Sequence, residues 1–336
     1  MRLLDVESRE LEEFVDETVV PPYAILSHRW EDDEVLFQDL ARGTAAHKKG
    51  YQKLYNFCLV AQKEGFLYAW IDTCCIDKSS SAELSEAINS MFRWYQQADT
   101  CFAYLNDCSY EVVSQSGSTQ FQESKWFTRG WTLQELLAPM DVVFLSVEWR
   151  EFGTRRGLCQ EISDITKINK RVLLHPKGLN EFCVAQKLSW AATRETAKPE
   201  DRAYSLMGLF GVHMPLLYGE GDRAFLRLQL EILQQSNDQS ILAWRCDDGM
   251  HFRLASSLLA RSPDDFKGCH DMKHTTRPRY IDGDMAQTGF VSGTAKLPQE
   301  VVGPYIKINA LSIDIGPANE SSFLSASAPT FIDFCL

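Results

Sequence analysis

Apolar residues fall in short bursts along the first half of the chain, and the periods within them alternate. Residues 23–27 and 66–71 are continuous apolar runs of strand length, and both suit strands buried on two faces. Between them, residues 51–63 place Leu54, Phe57, Cys58 and Ala61 at helical spacing, and Gly65 closes the segment. Residues 83–98 repeat that spacing with Leu84, Ala87, Ile88, Met91, Phe92 and Tyr95. Residues 100–105 and 141–147 are two further apolar runs. A Ser- and Gln-rich loop over 106–125 and a short helical segment stopped by Pro139 separate them. The order strand, helix, strand, helix, strand, helix, strand predicts an α/β fold with a mostly parallel sheet covered by helices.

Beyond residue 150 the pattern becomes mainly helical, with candidate helices over 156–165, 181–192, 199–208 and 224–234. Pro199, acidic residues in the first turn and Gly208 at the end mark the third of these. After residue 241 the pattern is less regular, and only 305–315 alternates like a strand. This divides the chain into an α/β core over 1–150, a helical part over 151–245 and an extension over 246–336 whose role the pattern does not assign.

Composition narrows the picture. Of 336 residues, 45% are hydrophobic and 24% charged, as in ordinary globular proteins, and the net charge of −12 argues against a nucleic-acid surface. No segment approaches a membrane span or a secretory leader, so a cytoplasmic location is expected. The ten cysteines include several inside apolar runs, which suits buried thiols in a reducing compartment. Cys269, His270 and His274 form the one metal-like spacing, in a polar stretch without a fourth ligand nearby, and no metal is expected there.

The densest chemistry lies around Glu135. Trp126, Arg129, Trp131 and Glu135 fall within ten residues. Thr132 and Glu135 have the spacing of a capping box, which would merely start a helix. An aromatic plane beside a carboxylate also suits a cationic ring. Ligands of parallel sheets gather at the carboxyl ends of the strands. Ser27, His28, Arg29 and Trp30, Asp72 and the Glu135 helix all fall at that edge in the predicted order.

Three blocks in this order carry a family resemblance: Ala24-Ile25-Leu26-Ser27-His28-Arg29-Trp30, Ala69-Trp70-Ile71-Asp72-Thr73-Cys74-Cys75-Ile76-Asp77 and Arg129-Gly130-Trp131-Thr132-Leu133-Gln134-Glu135-Leu136. They resemble the signature blocks of the heterokaryon-incompatibility (HET) domain, and residues 193–209 resemble the block that follows them. The resemblance spans roughly residues 1–245. It implies a module of fungal self/non-self recognition and programmed cell death, with a distant likeness to TIR domains and their flavodoxin-like sheet. Trp131-Thr132-Leu133-Gln134-Glu135-Leu136 is similar to the W-C-L-D/N-E-L around the TIR catalytic glutamate, differing at the second and fourth positions. The chain departs from TIR domains in His28 where they carry an aromatic residue, in Trp30 where they carry glycine, and in the longer 106–125 loop.

The resemblance implies cleavage of NAD⁺ at its nicotinamide–ribose bond, with NAD⁺ as substrate and no further cofactor. Glu135 would be the catalytic carboxylate. Trp131 or Trp30 would stack on nicotinamide or adenine, Arg29 or Arg129 would pair with the pyrophosphate, Ser27 and His28 would hydrogen-bond the ribose or shape the pocket, and Asp72 would hold a hydroxyl or orient one of those arginines. Homo-oligomerisation on activation and an upstream recognition protein are the expected partners. The alternative is a non-enzymatic signalling module acting by self-association or nucleotide binding.

Overall fold

The computed structural model describes residues 1–115, 118–245 and 258–272. Its centre is a seven-stranded sheet in the order β2-β1-β4-β3-β5-β6-β7. The strands are β1 (Arg2–Asp5), β2 (Leu11–Glu13), β3 (Tyr23–His28), β4 (Tyr68–Trp70), β5 (Thr100–Tyr104), β6 (Val142–Leu145) and β7 (Glu151–Thr154). The four inner strands β4, β3, β5 and β6 are parallel, whereas β1, β2 and β7 add antiparallel borders. The parallel strands run second-first-third-fourth in chain order, the flavodoxin-like arrangement, and the direction of winding reverses between β3 and β5.

The helices of this part are α1 (Phe37–Ala41), α2 (Tyr51–Lys63), α3 (Ser81–Gln97), α4 (Tyr110–Val113) and α5 (Thr132–Leu137). Two faces of the sheet can be told apart by register. Leu26 lies opposite Phe102 and His28 opposite Tyr104, so all four side chains share one face. Phe57 of α2 makes an edge contact with Phe102, which assigns α2 to that face. Ser27 and Cys101 point to the other face, where the Cys101 thiol meets the Glu135 carbonyl on α5. Trp70 packs against Trp94 and Tyr95 of α3, so α3 and α5 cover that second face together.

The predicted core elements are therefore present, with ends that move by up to two residues and α2 placed as expected. The antiparallel borders are additions to the expected parallel sheet. β2 reads Leu-Glu-Glu and carries no apolar alternation; it is a short acidic edge strand, a form that discourages pairing with another chain. β7 crosses the expected boundary at residue 150 and belongs to the sheet. All eight described cysteines are buried free thiols, as expected. No group of three or more metal-ligating side chains occurs among the described residues.

The remaining helices are α6 (Cys159–Thr166), α7 (Lys170–Leu174), α8 (Val184–Ala191), α9 (Asp201–Tyr204), α10 (Met207–Phe210) and α11 (Arg223–Gln235). The single helix expected over 199–208 is split into α9 and α10. After the break Gly208 lies against α3, where an added Cβ would stand 2.1 Å from the Phe92 Cβ. That neighbour is rooted in a helix and cannot swing away, so Gly208→Ala is expected to cost about 1–3 kcal/mol in urea unfolding despite alanine's better helix propensity. Residues 258–272 belong to the same packed body. Phe266 is fully buried, Gln229 exchanges two hydrogen bonds with Ala260, and Arg202 pairs with both oxygens of Asp264 at 2.7 and 2.8 Å. The expected strand over 305–315 and His274 lie outside the described residues.

Candidate functional site

The site is built where β3 ends. Ser27 is fully buried, and its hydroxyl donates to Glu135 Oε2 at 2.5 Å while accepting from Trp126 Nε1 at 2.9 Å. The capping role expected for Thr132 and Glu135 is not what forms. α5 begins at Thr132 itself, and the Thr132 hydroxyl donates to the carbonyls of Trp126 and Arg129. The Glu135 side chain is thereby released from the helix start and turns to β3.

Arg194 completes this side. Its guanidinium is 4% exposed and donates to the Arg129 carbonyl at 2.8 Å, Thr132 Oγ1 at 3.0 Å and the Trp190 carbonyl at 3.0 Å, while Nη2 has no partner. The neighbouring backbone is stitched to the same segment: Gly130 N–H donates to Glu195 O at 2.8 Å and Glu195 N–H to Thr128 O at 2.6 Å. A side chain at Gly130 would meet Thr196 at 2.4 Å, so only glycine permits that approach.

Burial decides the charge of Glu135. Its carboxyl is pushed up to about 8, chiefly by loss of water; the Ser27 bond and the Arg129 and Arg194 charges pull it back, and Asp72 adds to the rise. At neutral pH it is mostly the neutral acid. Burial also pushes the Arg194 guanidinium down, to about 10, and the nearby Glu135 carboxyl opposes that change.

The other face holds a second cluster. His28 is 4% exposed, neither ring nitrogen is hydrogen-bonded, and Nε2 lies 3.8 Å from Asp72 and 3.9 Å from Glu34. Glu34 is buried and paired with Lys53, which also reaches Glu31 at 2.8 Å. Trp30 Nε1 donates to Asp72 at 2.8 Å, and Lys78 sits 3.5 Å over the Trp30 ring. Burial works to raise the Asp72 carboxyl, but Lys78, His28 and the Trp30 bond outweigh it and hold it below the usual range.

Burial lowers His28 to about 4, against opposing pull from Asp72 and Glu34. A depressed folded pKa means that the unfolded chain binds the proton first. The stability from neutral His28 is present above pH 6.5 and is lost as pH falls through 4. The gap in stability between wild type and His28→Leu is therefore expected to shift against wild type by up to about 1.4 kcal/mol per unit below pH 6.5, read from urea midpoints across pH.

The expected residues thus divide. Ser27 and Glu135 meet directly, with the half-buried Arg129 close enough to act on the acid. His28, Trp30 and Asp72 form the second group, and the Arg29 carbonyl accepts from Lys53 while its Nε is buried without a partner. Trp30 has one ring face taken by Lys78. The Trp131 indole acts on Asp201 at the start of α9, where burial raises the carboxyl and Tyr218 and Trp131 oppose the rise. Arg194 is the residue that sequence reasoning missed, and Trp126, named beside Glu135, had no bond to Ser27 assigned to it. Arg194 lies inside the 193–209 block, the one signal that points to it.

The family model described as "Heterokaryon incompatibility protein (HET)" matches residues 23–116. Vegetative incompatibility protein HET-E-1 of Podospora anserina is 48% identical over 284 residues, covering 82% of this chain. The chain is a HET-domain protein. It spans about a fifth of the length of HET-E-1, 20% of that relative. No solved structure matches it. Within the HET region, the matched model ends before Glu135, so the acid, its Ser27 contact and Arg194 are placed by the geometry above. No helix among the described residues is long and apolar enough to cross a membrane.

Proposed function

We propose that this HET-domain protein acts in self/non-self recognition as a cell-death effector that cleaves NAD⁺ at the nicotinamide–ribose bond, with Glu135 as its catalytic carboxylate. The observation that carries this reading is the buried Glu135–Ser27 pair at the carboxyl edge of a parallel sheet, beside the reversal of strand order. A carboxyl held near its ionisation point by burial is the form expected of a working acid or base.

Nicotinamide leaves NAD⁺ as a neutral molecule from a cationic ring, so no proton need be delivered to it. The barrier is the positive charge that develops on the ribose carbon. A carboxylate beside that carbon stabilises the charge, and burial makes the attraction stronger; a water oxygen then bonds to the carbon in place of the departed nicotinamide, and its extra proton leaves to solvent. Neutral Glu135 must first lose its proton. A cationic ring entering beside it favours that loss, so substrate binding and ionisation reinforce each other. Ser27 would hold the carboxylate in place through its hydroxyl, with Trp126 fixing that hydroxyl from behind.

Incubation of the purified protein with NAD⁺, in dilute and in assembled form, tests the reading. Nicotinamide release is expected, and its absence in every assembled state would overturn it. One observation favours the second reading, a signalling module without turnover: Glu135 is only 7% exposed, and its acid is already engaged by Ser27. Under that reading, cell killing persists in a folded Glu135→Ala protein.

A further inference from the structure

A cation already sits in a small site at the carboxyl edge of the sheet, between the ends of β3 and β4. Trp30 follows β3 and Asp72 follows β4, and these two strands pair in parallel. The Trp30 indole N–H donates to Asp72 Oδ2 at 2.8 Å, which holds the ring beside the carboxylate. The Lys78 ammonium lies 3.5 Å from the centre of that ring and 3.5 Å from the same carboxylate oxygen. One indole face and one carboxylate thus share a single ammonium. Trp30 is 37% exposed, so the site opens to solvent.

The inner side of the site is unfinished. Asp72 Oδ1 faces His28 Nε2 at 3.8 Å, too far for a hydrogen bond. His28 is buried, and neither of its ring nitrogens has a partner. A buried imidazole in that state carries an uncompensated loss of water, which a polar group entering beside Asp72 would relieve.

The charges nearby show why a cation belongs here. Glu34 is paired with Lys53, which also reaches Glu31 at 2.8 Å. His28 is neutral at neutral pH, because burial lowers it to about 4. Among the described residues, Lys78 is therefore the one cation within ion-pair distance of Asp72. Without it, the carboxylate would stand unbalanced beside a ring whose face attracts positive charge.

Lysine is a poor fit for this place. Its ammonium is compact and strongly hydrated, and burial pushes it below its ordinary value while Asp72 opposes the change. A planar cation with delocalised charge gives up less hydration and lays its face on the indole. The Lys78 side chain is 28% exposed on a flexible stem, so it can leave for water when such a cation enters.

We infer that the Trp30–Asp72 site receives a planar organic cation of the pyridinium type, and that Lys78 fills the site until that ligand displaces it. The inference goes beyond the proposed function in making Lys78 an internal competitor. It rests on that function only in taking the pyridinium ring of NAD⁺ as the natural example.

Titration of the N-methylpyridinium ion into the full chain, followed at the tryptophan indole N–H signals by NMR, tests it without any turnover. Neutral pyridine and tetramethylammonium are the comparators, the one planar without charge and the other charged without a plane. Lys78→Met is expected to bind the pyridinium about tenfold more tightly than wild type, and either comparator at least about tenfold more weakly than the pyridinium. Lys78→Arg is expected to act in the opposite direction, since a guanidinium is itself a planar cation and holds the site more firmly. Adding Trp30→Leu to Lys78→Met is expected to remove the gain. Equal affinity of wild type and Lys78→Met, equal binding of either comparator, or a gain that survives Trp30→Leu in folded protein would overturn the assignment. The expected pyridinium binding without nicotinamide release from NAD⁺ in any assembled state would sink the cleavage reading and leave the site standing. Release without that binding would do the reverse.

Discussion

Glu135→Gln is expected to abolish nicotinamide release and, above pH 6.5, to make the protein more stable than wild type. The activity loss follows from charge. Glutamine keeps the shape and still accepts from Ser27, but cannot become an anion, and loss of a single preorganised electrostatic group costs on the order of 10²–10³-fold in rate. The stability gain follows from linkage. The Glu135 pKa rises from 4.5 to about 8 on folding, so the folded chain holds the proton more tightly than the unfolded chain. The stability this provides is fully present below pH 4.5 and is lost as pH rises through 8, at up to about 1.4 kcal/mol per unit.

Between pH 4.5 and 6.5, His28 contributes with the opposite slope, so the Glu135 effect is clearest from pH 6.5 to 8. Across that window Glu135→Gln is expected to gain about 2 kcal/mol relative to wild type. Urea unfolding at pH 6.5 and 8 measures it. A variant that is inactive and less stable at both values would mark Glu135 as a structural residue. Under the proposed NAD⁺ cleavage, the same linkage predicts that kcat/KM rises with pH up to about 8, as the unliganded protein surrenders the Glu135 proton more readily.

The second large effect belongs to Trp126. It is fully buried, packs edge-on against Phe127 and Phe144, and donates its indole N–H to Ser27. Trp126→Ala is expected to cost about 3–5 kcal/mol, because the lost burial is joined by a cavity that the surrounding rings cannot fill. Trp126→Phe separates packing from hydrogen bonding. It retains most of the apolar contact, is expected to cost about 1–3 kcal/mol, and leaves the Ser27 hydroxyl without its second partner. If Ser27 positions the Glu135 carboxylate, the Phe variant is expected to lower kcat more than it raises KM. An unchanged kcat in a folded Trp126→Phe protein would remove that positioning role.

The parallel strands were legible because each is a continuous apolar run between helices of clear period. β1 and β2 were not. Leu3 and Leu4 are fully buried, but they sit between Arg2 and Asp5, and two buried leucines carry no period. Their strand character comes from pairing with β4, a contact between residues more than sixty apart. Within the site, Ser27 and Glu135 were both legible as candidates, but their meeting was not, since it depends on Thr132 bonding backward to Trp126 and Arg129. A capping box needs Thr132 just outside the helix, and here it is the first helical residue, with its hydroxyl donating back to the preceding turn. Arg194 was hidden for a different reason. An arginine becomes a buried donor only when another segment brings carbonyls to it, and the segment that does so is Arg129–Thr132, more than sixty residues away.

The short parallel bridge between Arg129 and Glu195 has a consequence for inheritance and for engineering. Glu135 is encoded in the first half of the chain, yet the hinge from which its helix hangs is shared with a loop after α8. A cassette cut near residue 150 would carry the acid and Gly130 but leave behind Arg194 and the Glu195–Thr196 stretch that packs on that glycine. Graft experiments or natural recombination that exchange only the first half must therefore bring a matching second half.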